Sequence, residues 1–308
     1  MERQGSPGTP LFLGGPPKSG SSSIFAALVA HPDVVGTEPK ETFFFMDEDY
    51  PIQRPESVHR SSLDAFLRRL PGHRSGYWVD GTTHLLFQTT APAVLAEKFP
   101  DARIVFVLRN PADRLKSSYR YTRNNLALFT TDLPYPDYVR LVLDDDQAAV
   151  EDHLKGSTAG YVLAHDLKYG RYADYLQNWY AEFPARQIYL VNYEDYRRDA
   201  GPVLADLSEW LGLTPAVLPV GTRNVTFEVK NRRLHRLAKK WGSKLAANPV
   251  KALVKRAYLN LQRREKDTFT PLPPDLRAEL TNYYAAANDR LRQDYQFEHD
   301  WDAAGRPE

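Results

Sequence analysis

Apolar residues along the chain come in short blocks that stop at glycine or a polar turn, and each block is followed by a wider-spaced apolar pattern. Leu11-Phe12-Leu13 ends at Gly14-Gly15, and Ile24, Phe25, Leu28 and Val29 then recur at helical spacing. The pattern predicts a strand, a turn and a helix starting near Ser21. Tyr77–Asp80 reads as a short buried strand, with helical segments at Ser62–Leu70 and Ala91–Phe99 on either side. Arg103–Arg109 is apolar without alternation, which predicts a strand buried on both faces, and Pro111 is well placed to open the next helix. Farther on, Tyr172, Tyr175, Leu176, Trp179 and Tyr180 mark a helix. Gln187–Val191 reads as a strand, and a capped helix follows from about Pro202 to Leu211. The last helix opens at Pro273-Pro274-Asp275 and carries a stripe of Leu276, Leu280, Tyr283, Ala287, Leu291 and Tyr295. Strands alternating with helices predict an α/β chain with a central parallel sheet flanked by helices. Between Asn124 and Ser157 the pattern loosens into aromatics, prolines and Asp144-Asp145-Asp146, which fits a solvated helix and loop or a cover over a cleft.

Composition narrows the class. At 308 residues, 42% hydrophobic and 26% charged, the chain can bury a substantial core. A net charge of +1 predicts no bulk attraction to nucleic acid. The absence of cysteine excludes disulfides, thiol nucleophiles and Cys-based zinc sites. Residues 1–10 are polar and Pro/Gly-rich without the apolar core of a signal peptide, and no run approaches the roughly 20 apolar residues of a membrane span. A cytoplasmic protein is expected. The near-neutral total hides a basic stretch: thirteen lysines and arginines lie between Lys230 and Lys266, against Glu265 alone. Leu234, Leu237, Trp241 and Leu245 keep helical spacing within it. Such a hairpin could lie on an anionic surface, gather acidic glycans, close over a bound phosphate, or be a solvated basic face.

Three stretches carry candidate chemistry. Gly15 and Gly20 bracket four residues, as in a Walker loop, at a junction where a helix N-terminus would attract an anion. The residue after Gly20 is Ser21, where an ATPase would carry lysine, and Lys18 precedes the second glycine. A phosphate-binding loop survives this departure better than a nucleotide kinase does; a plain Gly/Ser connection with a solvated lysine stays open. At the second strand-to-helix junction, Arg109 can fork two phosphate oxygens while Ser117 donates from two turns into the helix. Glu41 stands immediately before Thr42-Phe43-Phe44-Phe45. A carboxylate against aromatic surface can serve as a base, whereas composition alone makes Glu41 a surface residue and the phenylalanines core.

The motifs together resemble the sulfotransferases that use 3′-phosphoadenosine 5′-phosphosulfate (PAPS), in particular the heparan-sulfate-type branch and its bacterial relatives. Gly15-Pro16-Pro17-Lys18-Ser19-Gly20-Ser21-Ser22 is similar to that family's 5′-phosphosulfate loop, and His31-Pro32-Asp33 follows the helix as it does there. Arg109-Asn110-Pro111-Ala112-Asp113-Arg114, with Ser117 and Tyr119, is similar to the 3′-phosphate motif, and Lys40-Glu41 with Phe44-Phe45 fits a Lys-Glu-x-x-Phe-Phe motif. Gly-x-Tyr at Gly170 and Tyr193-Glu194-Asp195 also match, as scaffold. The resemblance implies a P-loop-kinase-like three-layer fold, a single domain over 9–302 that includes the basic helical region 228–266, and transfer of a sulfuryl group to a hydroxyl with release of adenosine 3′,5′-bisphosphate (PAP). It implies PAPS binding by Pro17, Lys18, Ser19, Gly20, Ser21, Ser22, Arg109 and Ser117, catalysis by Glu41 as base and Lys18 at the leaving oxygen, and no metal. Phe43, Phe44 and His84 are the candidates on the acceptor side; His84 could supply a proton or a hydrogen bond, but reads more readily as an ordinary loop histidine. One departure stands out: Gly81 takes the place of a lysine that assists the transferring group in the family, leaving Lys18 as the clear cationic aid. The implied partner is an acceptor glycan or small molecule, not nucleic acid, with possible peripheral contact to anionic surfaces through 230–266. The rivals are a kinase-like phosphotransferase and a non-catalytic module for anionic glycans or membranes.

Overall fold

The computed structural model describes residues 8–52, 56–59, 61–67, 76–154, 158–214, 218 and 269–301. The basic stretch 228–266 lies outside the described residues. The chain divides into two compact units, one comprising Met1–Arg114, Tyr169–Asn224 and Tyr284–Glu308, the other Leu115–Lys168 and Val225–Tyr283.

The first unit contains a five-stranded sheet. Its strands are β1 (Thr9–Gly14), β2 (Val34–Gly36), β3 (Tyr77–Asp80), β4 (Arg103–Leu108) and β5 (Ile188–Asn192), in the order β2-β3-β1-β4-β5. All four pairings are parallel, with Leu11 opposite both Val79 and Arg103. Side chains alternate across the sheet, so the unbroken apolar runs split into two cores. Leu11, Leu13, Val79, Val105, Val107 and Val191 turn to one face, where they pack with α1 (Ser21–Val29) and α10 (Ala200–Trp210). Phe12, Trp78, Ile104, Phe106 and Leu108 turn to the other, with α3 (Ala91–Lys98) and α8 (Tyr172–Glu182). Helices on both faces of a parallel sheet give the expected three layers.

The two cores differ in kind. The first is aliphatic; the second is aromatic, with Phe12 edge-on to Phe45 at 5.6 Å and to Trp78 at 5.4 Å, and Phe44 stacked on Phe66 at 4.5 Å. The buried Trp179 indole donates to the Leu86 carbonyl at 3.1 Å, while the Trp78 N–H in the same core finds no partner among the described residues. The Phe43-Phe44-Phe45 run is therefore core, as composition suggested, at 8%, 3% and 3% exposure.

The described part of the second unit is helical. The C-terminal half of α4 (Pro111–Arg120) runs into a π-helical turn, Tyr121–Leu126. Then come α5 (Tyr135–Leu143), α6 (Gln147–Asp152) and α7 (Thr158–His165). Asp146 caps α6 by accepting from the Ala149 N–H at 3.0 Å. The loosened stretch 124–157 is thus more than a solvated loop. Tyr138 and Val139 are fully buried, Tyr138 stacks on Tyr119 at 5.2 Å, and its hydroxyl donates to the Leu163 carbonyl.

The last helix, Pro274–Tyr295, starts at the predicted proline. Its buried stripe is Leu276, Leu280, Tyr284, Ala287 and Leu291. Tyr284 takes the place expected for Tyr283, since a period of 3.6 residues falls between the two after Leu280. Among the described residues no helix is long and apolar enough to cross a membrane.

Candidate active site

The strand order reverses at β1, with β3 on one side and β4 on the other, and a parallel sheet opens a crevice at the carboxyl ends of its strands at such a point. The candidate residues follow those ends. Residues 15–22 come after β1, Lys40 and Glu41 after β2, Gly81–His84 after β3, Arg109 after β4 and Tyr193 after β5.

The turn from β1 into α1 depends on backbone shape. Gly15 has φ 122°, and a Cβ there would stand 2.5 Å from the Val107 carbonyl oxygen. Gly20, at φ 86°, is the N-cap of α1 without a side-chain cap, and a Cβ on it would meet the Tyr193 ring at 2.7 Å. Both positions require glycine. Lys18 adopts φ 70°, a left-handed conformation that a lysine rarely takes. Pro17 and Ser22 are half-buried, and Ser21 is buried as the first residue of α1. Ser19 is 1% exposed, and its Oγ finds no hydrogen-bond partner.

Arg109 faces this turn. Its Nη1 donates to the Lys18 carbonyl at 2.9 Å, its guanidinium carbon lies 4.8 Å from the Tyr193 ring centroid, and its buried Nε has no partner. Burial, and secondarily the Arg109 charge, lowers the Lys18 pKa from 10.5 to about 8. Two cations, a buried hydroxyl and a buried N–H without partners, and an uncapped helix N-terminus form a cradle that an anion completes. Ser117, the other residue expected at a phosphate, lies two turns along α4, in the second unit.

Sequence reasoning placed Tyr193 and Glu194 in the scaffold, but Tyr193 flanks the cradle. Its sequence signals are its place directly after β5 and the Tyr193-Glu194-Asp195 match to the family. Glu194 ties strand ends together, accepting from the Asn110 N–H at 3.1 Å and the Trp301 indole at 3.0 Å. Burial raises its pKa. Tyr172 holds Arg109 from behind by donating its hydroxyl to the Arg109 carbonyl at 2.8 Å.

Across the crevice, the segment after β2 is pinned to the end of β3 by a buried carboxylate. Asp80 Oδ1 accepts from the Thr82 N–H at 2.8 Å and the Thr82 hydroxyl at 2.6 Å, while Oδ2 accepts from the Thr42 hydroxyl. Burial is the largest influence on Asp80 and raises its pKa, against the threonine hydrogen bonds and Lys40. Thr82 Oγ1 in turn accepts from the Thr42 and Phe43 N–H groups at 3.1 and 3.2 Å. These bonds hold Glu41, which is half-buried and accepts from the Lys40 ammonium at 3.0 Å and the Thr83 hydroxyl at 3.4 Å.

His84 sits below this network, 6% exposed, with Nδ1 2.8 Å from the Tyr50 hydroxyl, which itself lies 3.1 Å from the Tyr169 hydroxyl. Burial first, then Arg114, lowers its pKa to about 3, so the ring is neutral at ordinary pH. Phe43, two residues after Glu41, has φ 53°, and Phe44 points into the aromatic core.

Comparisons with known proteins identify the family. The family model for the sulfotransferase domain matches residues 9–241. Among curated proteins, the chain is 23% identical over 208 residues to bifunctional heparan sulfate N-deacetylase/N-sulfotransferase 1 of Caenorhabditis briggsae, covering 66% of this chain and 22% of that protein. It is 26% identical over 215 residues to the human bifunctional heparan sulfate N-deacetylase/N-sulfotransferase 2, with coverage of 67% and 22%. The chain thus spans about a fifth of the length of the curated relatives it matches. Among solved structures, a sulfotransferase from Alicyclobacillus acidocaldarius superposes with a TM-score of 0.63 at 22% identity, over 94% of this chain and 96% of that one, a likeness of fold. With its five-stranded parallel sheet and a family match over three-quarters of its length, the chain belongs to the sulfotransferase domain family.

Proposed function

We propose that this site transfers a sulfuryl group from PAPS to a hydroxyl of a glycan or small-molecule acceptor. The observation that carries the reading is the pair of buried polar atoms without partners, Ser19 Oγ and Arg109 Nε, at two adjacent strand ends. In this reading the 5′-phosphosulfate lies over the Pro17–Ser22 turn, and the 3′-phosphate meets Arg109. The acceptor oxygen attacks sulfur in line as the bond from sulfur to the phosphate oxygen breaks. Glu41 takes the acceptor's proton, and Lys18 with the N–H groups of α1 stabilises the charge gathering on the departing oxygen. PAP leaves.

The left-handed backbone at Lys18 and Phe43 supports the assignment, since such conformations concentrate where side chains must be aimed. A glycan is the first acceptor class to test, because heparan sulfate is named in the relatives. The cysteine-free composition likewise favours a cytoplasmic setting. His84, neutral and bonded to Tyr50, supports the wall of the acceptor side in this scheme; the proton goes to Glu41.

Thermal unfolding with PAP tests the reading. A hundredfold excess over its dissociation constant adds about 2.7 kcal/mol of stability and raises the Tm without added metal. A response to ATP with magnesium in place of PAP would favour a kinase, and a response to neither would leave a non-catalytic module.

A further inference from the structure

Lys40 is the least expected side chain in the crevice. The sequence places it in the Lys-Glu-x-x-Phe-Phe motif without giving it a role, and Gly81 leaves the transferring group with Lys18 alone. The structure lays Lys40 across Gly81. The Lys40 carbonyl accepts from the Gly81 N–H at 2.9 Å and from the Thr37 hydroxyl at 3.0 Å, and its ammonium donates back to the Gly81 carbonyl at 2.7 Å. A Cβ on Gly81 would come within 2.8 Å of both Cγ and Cε of Lys40 and of Cδ2 of Phe25. Gly81 has no positive φ to explain it; the glycine leaves room for the lysine.

From that berth the Lys40 ammonium reaches both halves of the site. It is 3.0 Å from Glu41 Oε1 on the proton-accepting side and 3.4 Å from the Ser21 hydroxyl at the start of α1 on the anion side. Its side chain keeps 21% of its surface exposed, so a ligand can touch it. The Ser21 contact is the longest of its three hydrogen bonds and the easiest to exchange for an anionic oxygen.

We infer that Lys40 contacts the sulfuryl oxygens of the donor, with Gly81 serving to admit it. The inference rests on the PAPS reading above. Lys18 would then face the oxygen that leaves and Lys40 the group that moves, so that the sulfuryl group passes between two cations to the acceptor oxygen, whose proton goes to Glu41. Nothing further is transferred or oxidised; the ammonium keeps its proton and contributes charge-assisted hydrogen bonds.

PAPS carries the sulfuryl group and PAP lacks it, so the two ligands isolate the contact. Calorimetric titration without acceptor should show Lys40→Met weakening PAPS roughly tenfold or more while PAP changes less than twofold. Gly81→Ala should reproduce the selective loss by displacing Lys40, and adding it to Lys40→Met should cost little more. Lys40→Arg should restore part of the PAPS affinity. The same titrations in a Glu41→Gln background separate contact from mere neutralisation of the carboxylate. A loss that persists there supports contact, and one that vanishes overturns it. Equal weakening of both ligands, or of neither, would also overturn it. If the unaltered chain binds neither PAP nor PAPS, the underlying PAPS reading fails first, a result distinct from intact binding without Lys40 selectivity.

Discussion

In the turn from β1 to α1 the anion-facing groups are aimed by the backbone. Gly15 and Gly20 hold conformations that side chains would obstruct, and the helix end itself supplies donors. Around Glu41 the groups are aimed by side chains, with Asp80 gripping Thr42 and Thr82, which fix the main chain directly after the carboxylate. In the proposed reaction the difference follows from what each region has to do. The nucleotide's phosphate stays in place while charge gathers on one of its oxygens, so a rigid cradle of fixed donors suffices. A group that accepts a proton and borders on an exchanging acceptor needs side chains whose charge and partners can change, held by a buried anchor that does not.

Variants that separate the two regions test this division. The largest effect is expected from Glu41→Gln, which should lower turnover by roughly two to four orders of magnitude, mostly in kcat, while leaving the PAP-induced Tm shift in place. Acidic phenols should lose less than alkyl alcohols, because they need less help in shedding a proton. An alcohol acceptor turned over at nearly the unaltered rate would remove Glu41 from the chemistry. On the nucleotide side, Arg109→Ala should weaken PAP by about 1.5–3 kcal/mol, measured by titration. Adenosine 5′-phosphosulfate lacks the 3′-phosphate and should barely respond; equal losses would place Arg109 elsewhere.

The smallest effect comes from Lys18. Its pKa of about 8 lies below its unfolded value, so between pH 8 and 10.5 the folded chain binds fewer protons than the unfolded one. From this group, stability without ligand should therefore rise with pH across that window, the cost of burying the charge being present below it. PAP favours the charged lysine, so its affinity should fall as pH passes 8, by at most about tenfold per unit. Titrations at pH 7, 8 and 9 in two buffers of different ionisation enthalpy would show the accompanying proton uptake. A flat profile would mean that Lys18 does not meet the anion.

Local pattern was enough for the strands and for the turns that follow them. β3 spans the predicted Tyr77–Asp80, α1 starts at Ser21, and Pro111 opens α4, because apolar runs, helix starts and proline geometry are properties of a few neighbouring residues. The same locality made the anion turn legible, since all of its parts lie between Gly15 and Ser22. It also let Phe43–Phe45 be assigned to the core. Where the pattern was broken by prolines and aromatics, as before α5, periodicity lost its hold, and Tyr138 proved buried only once the helices had packed.

The transfer side of the site belongs to tertiary structure. Lys40 and Gly81 are 41 residues apart, and nothing in either segment announces that one occupies the space left by the other. Asp80 read only as the end of a strand, yet it is the carboxylate on which the Thr42 and Thr82 hydrogen bonds converge, and Tyr193 became part of the cradle only because β5 pairs with β4. Sequence by itself determined what can be written in consecutive residues: the α/β alternation, the phosphate turn and the candidate base. Which side chains meet across the crevice depended on strand order and parallel register, because these bring the carboxyl ends of five distant segments together, and a charge acts on whatever lies within a few ångströms of it, however far away along the chain.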